Sequence, residues 1–167
     1  MATTGQRHHI AGLLTFLHSH AAQLRYPPDD VRTQADATAW HLTETQAAHT
    51  LDHGGYMQMD CSEFCSWVLK CVGCWPWGSP GYTGSHLASI RPVYTNPRDA
   101  DVGALVVFGP GTGHHEAIVE VPDHLHGNPV LASHGRPGFD RVTLDALAAS
   151  QAAEGFPGVR LLSIQHL

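Results

Sequence analysis

Asp60-Cys61-Ser62-Glu63-Phe64-Cys65-Ser66-Trp67-Val68-Leu69-Lys70-Cys71-Val72-Gly73 is the stretch that decides the fold. Aspartate is a strong N-cap and Glu63 stands three residues on, so the two form a capping box and a helix begins at Cys61. Phe64, Val68 and Cys71 then share one helical face, and Gly73 is the natural stop. Cys61 lies in the first turn, where unpaired backbone N–H groups and the positive end of the macrodipole favour a thiolate. The same N–H groups could hold an oxyanion. Cys61 is therefore the candidate nucleophile, whereas Cys65 and Cys71, inside the helix, read as small core residues.

Upstream, Ile10, Leu13, Leu14, Leu17, Ala21 and Leu24 recur at helical spacing and predict an amphipathic docking helix that ends at Tyr26-Pro27-Pro28. His18 and His20 interrupt the apolar run, so no cleavable signal peptide is expected. A second helix is predicted from about residue 30 through 42 and beyond, before Gly54-Gly55 breaks the chain. Downstream, residues 75–83 form an aromatic loop rich in proline and glycine. Strands follow at residues 103–108 and 114–121, joined as a hairpin, and at 129–134. A short helix capped by Thr143 runs to 153, and a last strand covers 159–167. Helices first and an antiparallel sheet afterwards make an α+β domain, with residues 1–50 as a helical part and 51–167 as the core.

The 167 residues, 43% hydrophobic and 14% charged, suit one domain, and no apolar run is long enough for a membrane span. Nine basic against 15 acidic residues give a charge of −6, and Lys70 is the only lysine. That balance argues against nucleic acid, whose affinity comes from cations neutralising phosphates. The 14 histidines name no site by abundance, so position has to decide. Cys61, Cys65, Cys71 and Cys74 lie in one short stretch, which fits a metal site or a local helix better than a disulfide framework.

A nucleophilic thiol needs a base. Alternation in the returning strand puts His115, Ala117, Val119 and Val121 on one face and His114, Glu116, Ile118 and Glu120 on the other. The first face is expected to be the buried one, packed on the Cys61 helix, which makes His115 the base and leaves His114 in solvent. On the next strand Val130, Ala132 and His134 share a face, and His134 is the candidate for orienting the imidazole.

Asp60-Cys61-Ser62-Glu63-Phe64 resembles the Asp-Cys-Ser-Gly-Phe signature of NlpC/P60 cysteine peptidases. Gly103-Ala104-Leu105-Val106-Val107-Phe108 and His115-Glu116-Ala117-Ile118-Val119 are similar to the two strands that follow in that family, and Val130-Leu131-Ala132-Ser133-His134-Gly135 stands where its third polar residue lies. Gly81-Tyr82-Thr83-Gly84, Val107-Phe108-Gly109-Pro110 with Gly113, and Ser133-His134-Gly135 are similar to the peptidase modules of actinobacterial phage endolysins. The resemblance covers about residues 50 to 140. It implies a papain-like core, Cys61, His115 and His134 as catalytic residues, and hydrolysis of an amide in peptidoglycan stem or cross-bridge peptides without metal or cofactor. A monomer made in the cytoplasm and delivered to the wall by a phage or secretion-like assembly is expected.

Two departures stand out. Glu63 replaces the family's glycine, and an acid beside the nucleophile raises a thiol's pKa unless the capping box ties it up. Leu51-Asp52-His53-Gly54-Gly55 replaces the aromatic-rich segment that precedes the family's cysteine. Tyr26, Trp75, Trp77 and Tyr82, with Ser62 beside the nucleophile, are the candidates for substrate contacts in its place. From other classes, Cys71-x-x-Cys74 has zinc-ligand spacing, with His53, Cys65 or His86 to complete a structural site. A catalytically silent wall-binding domain of the same shape is the third possibility.

Overall fold

The computed structural model describes residues 2–27, 41–77, 81–90 and 92–164. Helix α1 (Thr4–Ser19) buries Ile10, Leu13, Leu14 and Leu17, the stripe its spacing predicts. It stops at Ser19, ahead of the prolines, because a 3-10 turn over Ala21–Gln23 leads Leu24 into strand β1 (Leu24–Arg25). Most of the second predicted helix lies outside the described residues. Helix α2 (Glu44–Asp52) starts just beyond it, on a capping box of Thr43 with Gln46. Strand β2 (Met57–Gln58) pairs in parallel with β1, and the Met59 N–H donates to the Arg25 carbonyl at 3.0 Å. This short pairing brings the end of the N-terminal part beside the residues that precede Cys61.

Helix α3 (Cys61–Cys71) forms as its caps dictate. Asp60 Oδ1 accepts from the Ser62 and Glu63 N–H groups, both at 2.8 Å, and Glu63 Oε2 accepts from the Asp60 N–H at 2.7 Å. At the other end Gly73 takes φ +73°, and the N–H groups of Cys74 and Gly73 close onto the carbonyls of Leu69 and Lys70 at 2.8 and 3.0 Å. Only glycine adopts that left-handed turn without a Cβ penalty. Residues on every side of α3 are buried, Lys70 included, which marks it as the central helix.

Helix α4 (Thr83–Ser89) and strand β3 (Pro92–Tyr94) come next, then β4 (Leu105–Phe108), β5 (His115–Val121), β6 (Val130–Gly135), β7 (Gly138–Thr143), helix α5 (Leu144–Ala153) and β8 (Val159–Leu162). The six longer-range strands form one antiparallel sheet in the order β3-β8-β4-β5-β6-β7. The chain is thus an α+β protein, with the predicted hairpin present as β4–β5 and α5 capped by Thr143 as expected. Five elements have no counterpart among the sequence-based expectations: β1, β2, α4, β3 and β7. The last predicted strand ends at Leu162, and residues 165–167 fall outside the described ones. No helix among the described residues is long and apolar enough to cross a membrane.

The sheet is buried on both sides. Leu105, Val107, Ile118, Ala132, Phe139 and Leu162 join Phe64, Cys65 and Val68 of α3 in one core. Val106, Phe108, Ala117, Val119, Leu131 and Leu161 join Leu144 and Leu147 of α5 in the other. This corrects the expected facing of β5: α3 covers the Glu116/Ile118 face, and the Ala117/Val119 face belongs to α5. Glu116 and Glu120 had marked their face as solvent, yet both carboxylates are buried against partners, Glu116 on His86 and Glu120 on His18 and Arg141.

Candidate active site

Cys61 opens α3 and is 5% exposed. Its thiol is pushed up to about 12, first by burial and then by the charge of Asp60, while the backbone N–H groups of Glu116 and Ser62 favour the thiolate. Desolvation therefore overrides the activation expected of a helix N-terminus, and the sulfur rests as a thiol. Glu63 is tied up in the capping box at 2.7 Å from the Asp60 nitrogen, so its carboxylate serves the helix and not the sulfur. Asp60 accepts from the N–H groups of Ser62, which also faces the sulfur, and Glu63, and leaves that of Cys61 out of the cap.

The Glu116 amide that faces the sulfur is one peptide bond from His115. His115 is nearly buried at the start of β5, and its imidazole is lowered to about 4, first by burial and then by His114 and His134. His115 Nε2 meets the Ser133 hydroxyl at 2.9 Å. Pairing of Ala117 with Ser133 puts His115 and Ser133 on the same face, and that pairing carries a register shift between Val119 and Val121. Among the described residues Nδ1 makes no hydrogen bond.

His134 is brought to the same end of the sheet on the α3 face, opposite Phe139. Its ring lies among Tyr26, Phe64 and Phe139, with centroids 5.8, 6.2 and 6.2 Å away. It is fully buried, and neither nitrogen has a hydrogen-bond partner among the described residues. Burial lowers its pKa, and the nearby carbonyls of Arg25 and Met59 oppose that without reaching hydrogen-bond geometry. The position expected of His134, on the far nitrogen of His115, is held by Ser133, because a one-residue change of parity exchanges the faces of a strand.

Of the other predicted residues, Ser62 is buried and its hydroxyl donates to Asp60 Oδ1 at 2.9 Å, which takes it from the substrate. Trp75 is buried too, its ring set edge-on to His86 at 4.5 Å, so it is a core residue and not a substrate wall. Trp77 and Tyr82 are exposed, at 42% and 62%, and Tyr26 is half-buried against His134. His114 is exposed as expected and stacks on Phe156. The candidate zinc ligands are not assembled: His86 is held by Glu116 and Ser66, His53 Nδ1 lies on the His49 carbonyl, and Gln6 donates to Cys74 Sγ at 3.2 Å. No group of three or more His, Cys, Asp and Glu side chains among the described residues is placed to hold a metal ion.

Beside the start of α3 runs a buried polar chain that sequence patterns did not reveal. His86 Nδ1 lies 2.8 and 2.9 Å from the two Glu116 oxygens, and His86 Nε2 lies 3.0 Å from Ser66 Oγ. Ser66 Oγ donates to the Ser62 carbonyl at 2.7 Å, one residue from Cys61. Gly81 closes over this chain so tightly that a Cβ there would stand 2.3 Å from Ser66 Oγ and 2.7 Å from His86 Nε2. The only sequence signal for the chain was an acid inside an apolar strand. No protein-family model and no curated protein matches the sequence.

Proposed function

We propose that the chain is a cysteine peptidase or amidase of the NlpC/P60 kind, with a papain-like core, that hydrolyses an amide in peptidoglycan stem or cross-bridge peptides. The observation that carries this reading is the convergence of Cys61, at the capped start of a buried helix, on the β5 backbone beside His115, whose Nε2 is already held by Ser133.

The resting pair is a neutral thiol and a neutral imidazole. His115 Nδ1 takes the thiol proton as sulfur attacks the carbonyl carbon, so charge develops only as the new bond forms. In this reading the N–H groups of Cys61 and Glu116 serve as the donors to the developing oxyanion. The imidazolium then protonates the leaving amine, the C–N bond breaks, and an acyl-enzyme remains. Water attacks it with His115 again as base and returns the thiol. Ser133 fixes the ring's orientation throughout, and exposed Trp77 and Tyr82 supply apolar area for a peptide. Such a protein acts at the wall after delivery by a phage or secretion-like assembly.

Purified peptidoglycan digested with the wild type and with Cys61→Ala tests this directly, with new termini identified by mass spectrometry. The wild type is expected to release new amino termini, and a folded Cys61→Ala protein none. Full activity in that variant would sink the assignment, and wall binding without hydrolysis by the wild type would favour the silent domain.

A further inference from the structure

We propose that His86 and Glu116 are positioning residues for the nucleophile: a buried pair that shares one proton, stays electrically neutral, and clamps the β5 peptide facing Cys61. The idea rests on Cys61 being the reactive group of the proposed function, but not on which bond is cut.

The geometry has three parts. Neighbouring residues of a strand point to opposite faces. His115 is therefore held from the α5 face by Ser133 at 2.9 Å, and Glu116 is held from the α3 face by His86 at 2.8 Å. The peptide between them, whose N–H favours the Cys61 thiolate, is gripped on both sides of the sheet. Next, Ser66, itself on α3, joins that helix to the pair through His86 Nε2 at 3.0 Å and also holds the Ser62 carbonyl at 2.7 Å, so nucleophile and strand are fastened by one set of hydrogen bonds. Finally, Glu116 and His86 are each 0% exposed, and a lone carboxylate in such a place is strongly disfavoured. One proton distributed over Glu116 and His86 leaves the pair neutral whichever atom carries it.

Neutrality matters because of what else faces the sulfur. Asp60, the N-cap of α3, Glu116 on β5, and Cys65 one turn along α3 are the titratable groups that interact with it, and both acids raise the cost of a thiolate. Without His86, Glu116 becomes a bare anion beside Cys61 once it ionises, and thiolate formation moves to higher pH.

The test is the rate of Cys61 alkylation by iodoacetamide from pH 6 to 10, read by peptide mass spectrometry so that the four cysteines are separated. Folding is followed by circular dichroism. His86→Ala, and His86→Gln, which keeps a donor to the carboxylate but cannot carry the proton, should each displace the profile upward by about one pH unit, roughly tenfold slower at a given alkaline pH. The double variant His86→Gln/Glu116→Gln, whose two amides can still bond each other, should restore it. Unmoved profiles in the single variants would overturn the proposal. So would a double variant displaced as far as His86→Gln, or unfolding of all three proteins, which would make the pair purely structural. Alkylation reports the thiol even if the protein cuts no wall peptide, so the two readings fail separately.

Discussion

The two faces of the sheet are built from the same strands yet differ in kind. The α5 side is filled by Val106, Phe108, Ala117, Val119, Leu131, Leu144 and Leu147. The α3 side mixes its apolar core with fully buried His86, Glu116, His134 and Ser66, gathered around the start of one helix. Burying polar groups costs free energy unless each is partnered, so a core that needs only stability omits them. The fully buried histidines and carboxylate lie on the face that meets Cys61, whereas the α5 side buries the neutral Gln151 and Ser133. At the end of β5 the two faces meet in one peptide, because His115, bonded to Ser133, belongs by alternation to the α5 face, while the next residue's N–H faces Cys61. The site is therefore a sheet-end arrangement that draws on both faces.

The largest expected effect is on chemistry. His115→Ala should lower wall hydrolysis by about 10²–10⁴-fold, the usual worth of a general base, with folding intact by circular dichroism. In the wild type, an imidazole lowered to about 4 stays neutral and basic down to that pH. The acid limb of kcat/KM should therefore fall near pH 4, and a limb near 6.5 would show that His115 is not the base. On the opposite face, Leu147→Ala should cost about 2–5 kcal/mol in denaturant unfolding, the range for a buried leucine, while the folded fraction keeps its turnover. A Leu147 variant that is stable but inactive would erase the distinction between the faces.

Next in size is the choice between neighbours on β6. Ser133→Ala removes a hydrogen bond worth about 1.5 kcal/mol to the base and should reduce kcat about tenfold. His134→Phe replaces a ring without hydrogen-bond partners among aromatic neighbours and should keep both activity and thermal stability. The reverse result would return the orienting role to His134.

The smallest effect concerns Glu63, whose carboxyl is raised to about 7 by burial and then by Asp60. A carboxyl with a raised folded pKa holds its proton more tightly when folded, so its contribution is fully present below about 4.5 and is lost as pH rises to about 7. Wild-type Tm should fall relative to Glu63→Gln over that interval, since glutamine keeps the capping-box acceptor without titrating. Parallel curves would show that Glu63 does not titrate there.

Local signals carried much of this into the sequence. The Asp60–Glu63 box, the Gly73 stop, the α1 stripe, the Thr143 cap and the β4–β5 hairpin depend on residues within a few positions of each other, and each was legible. So was the place of Cys61 at a helix start. β1, β2, α4, β3 and β7 escaped because their stretches are short or lack a clear period or cap signal and are ordered by their neighbours.

By itself the sequence determined the α+β order of elements and a short list of candidates, because capping and periodicity act over a turn or two of chain. The tertiary structure alone decided which face of β5 meets α3, that Ser133 and not His134 reaches His115, and that Glu116 is paired with His86. Register, burial and ion pairing are set by residues tens of positions apart. A bulge between Val119 and Val121, or a carboxylate hidden by a partner, changes them without leaving a local trace.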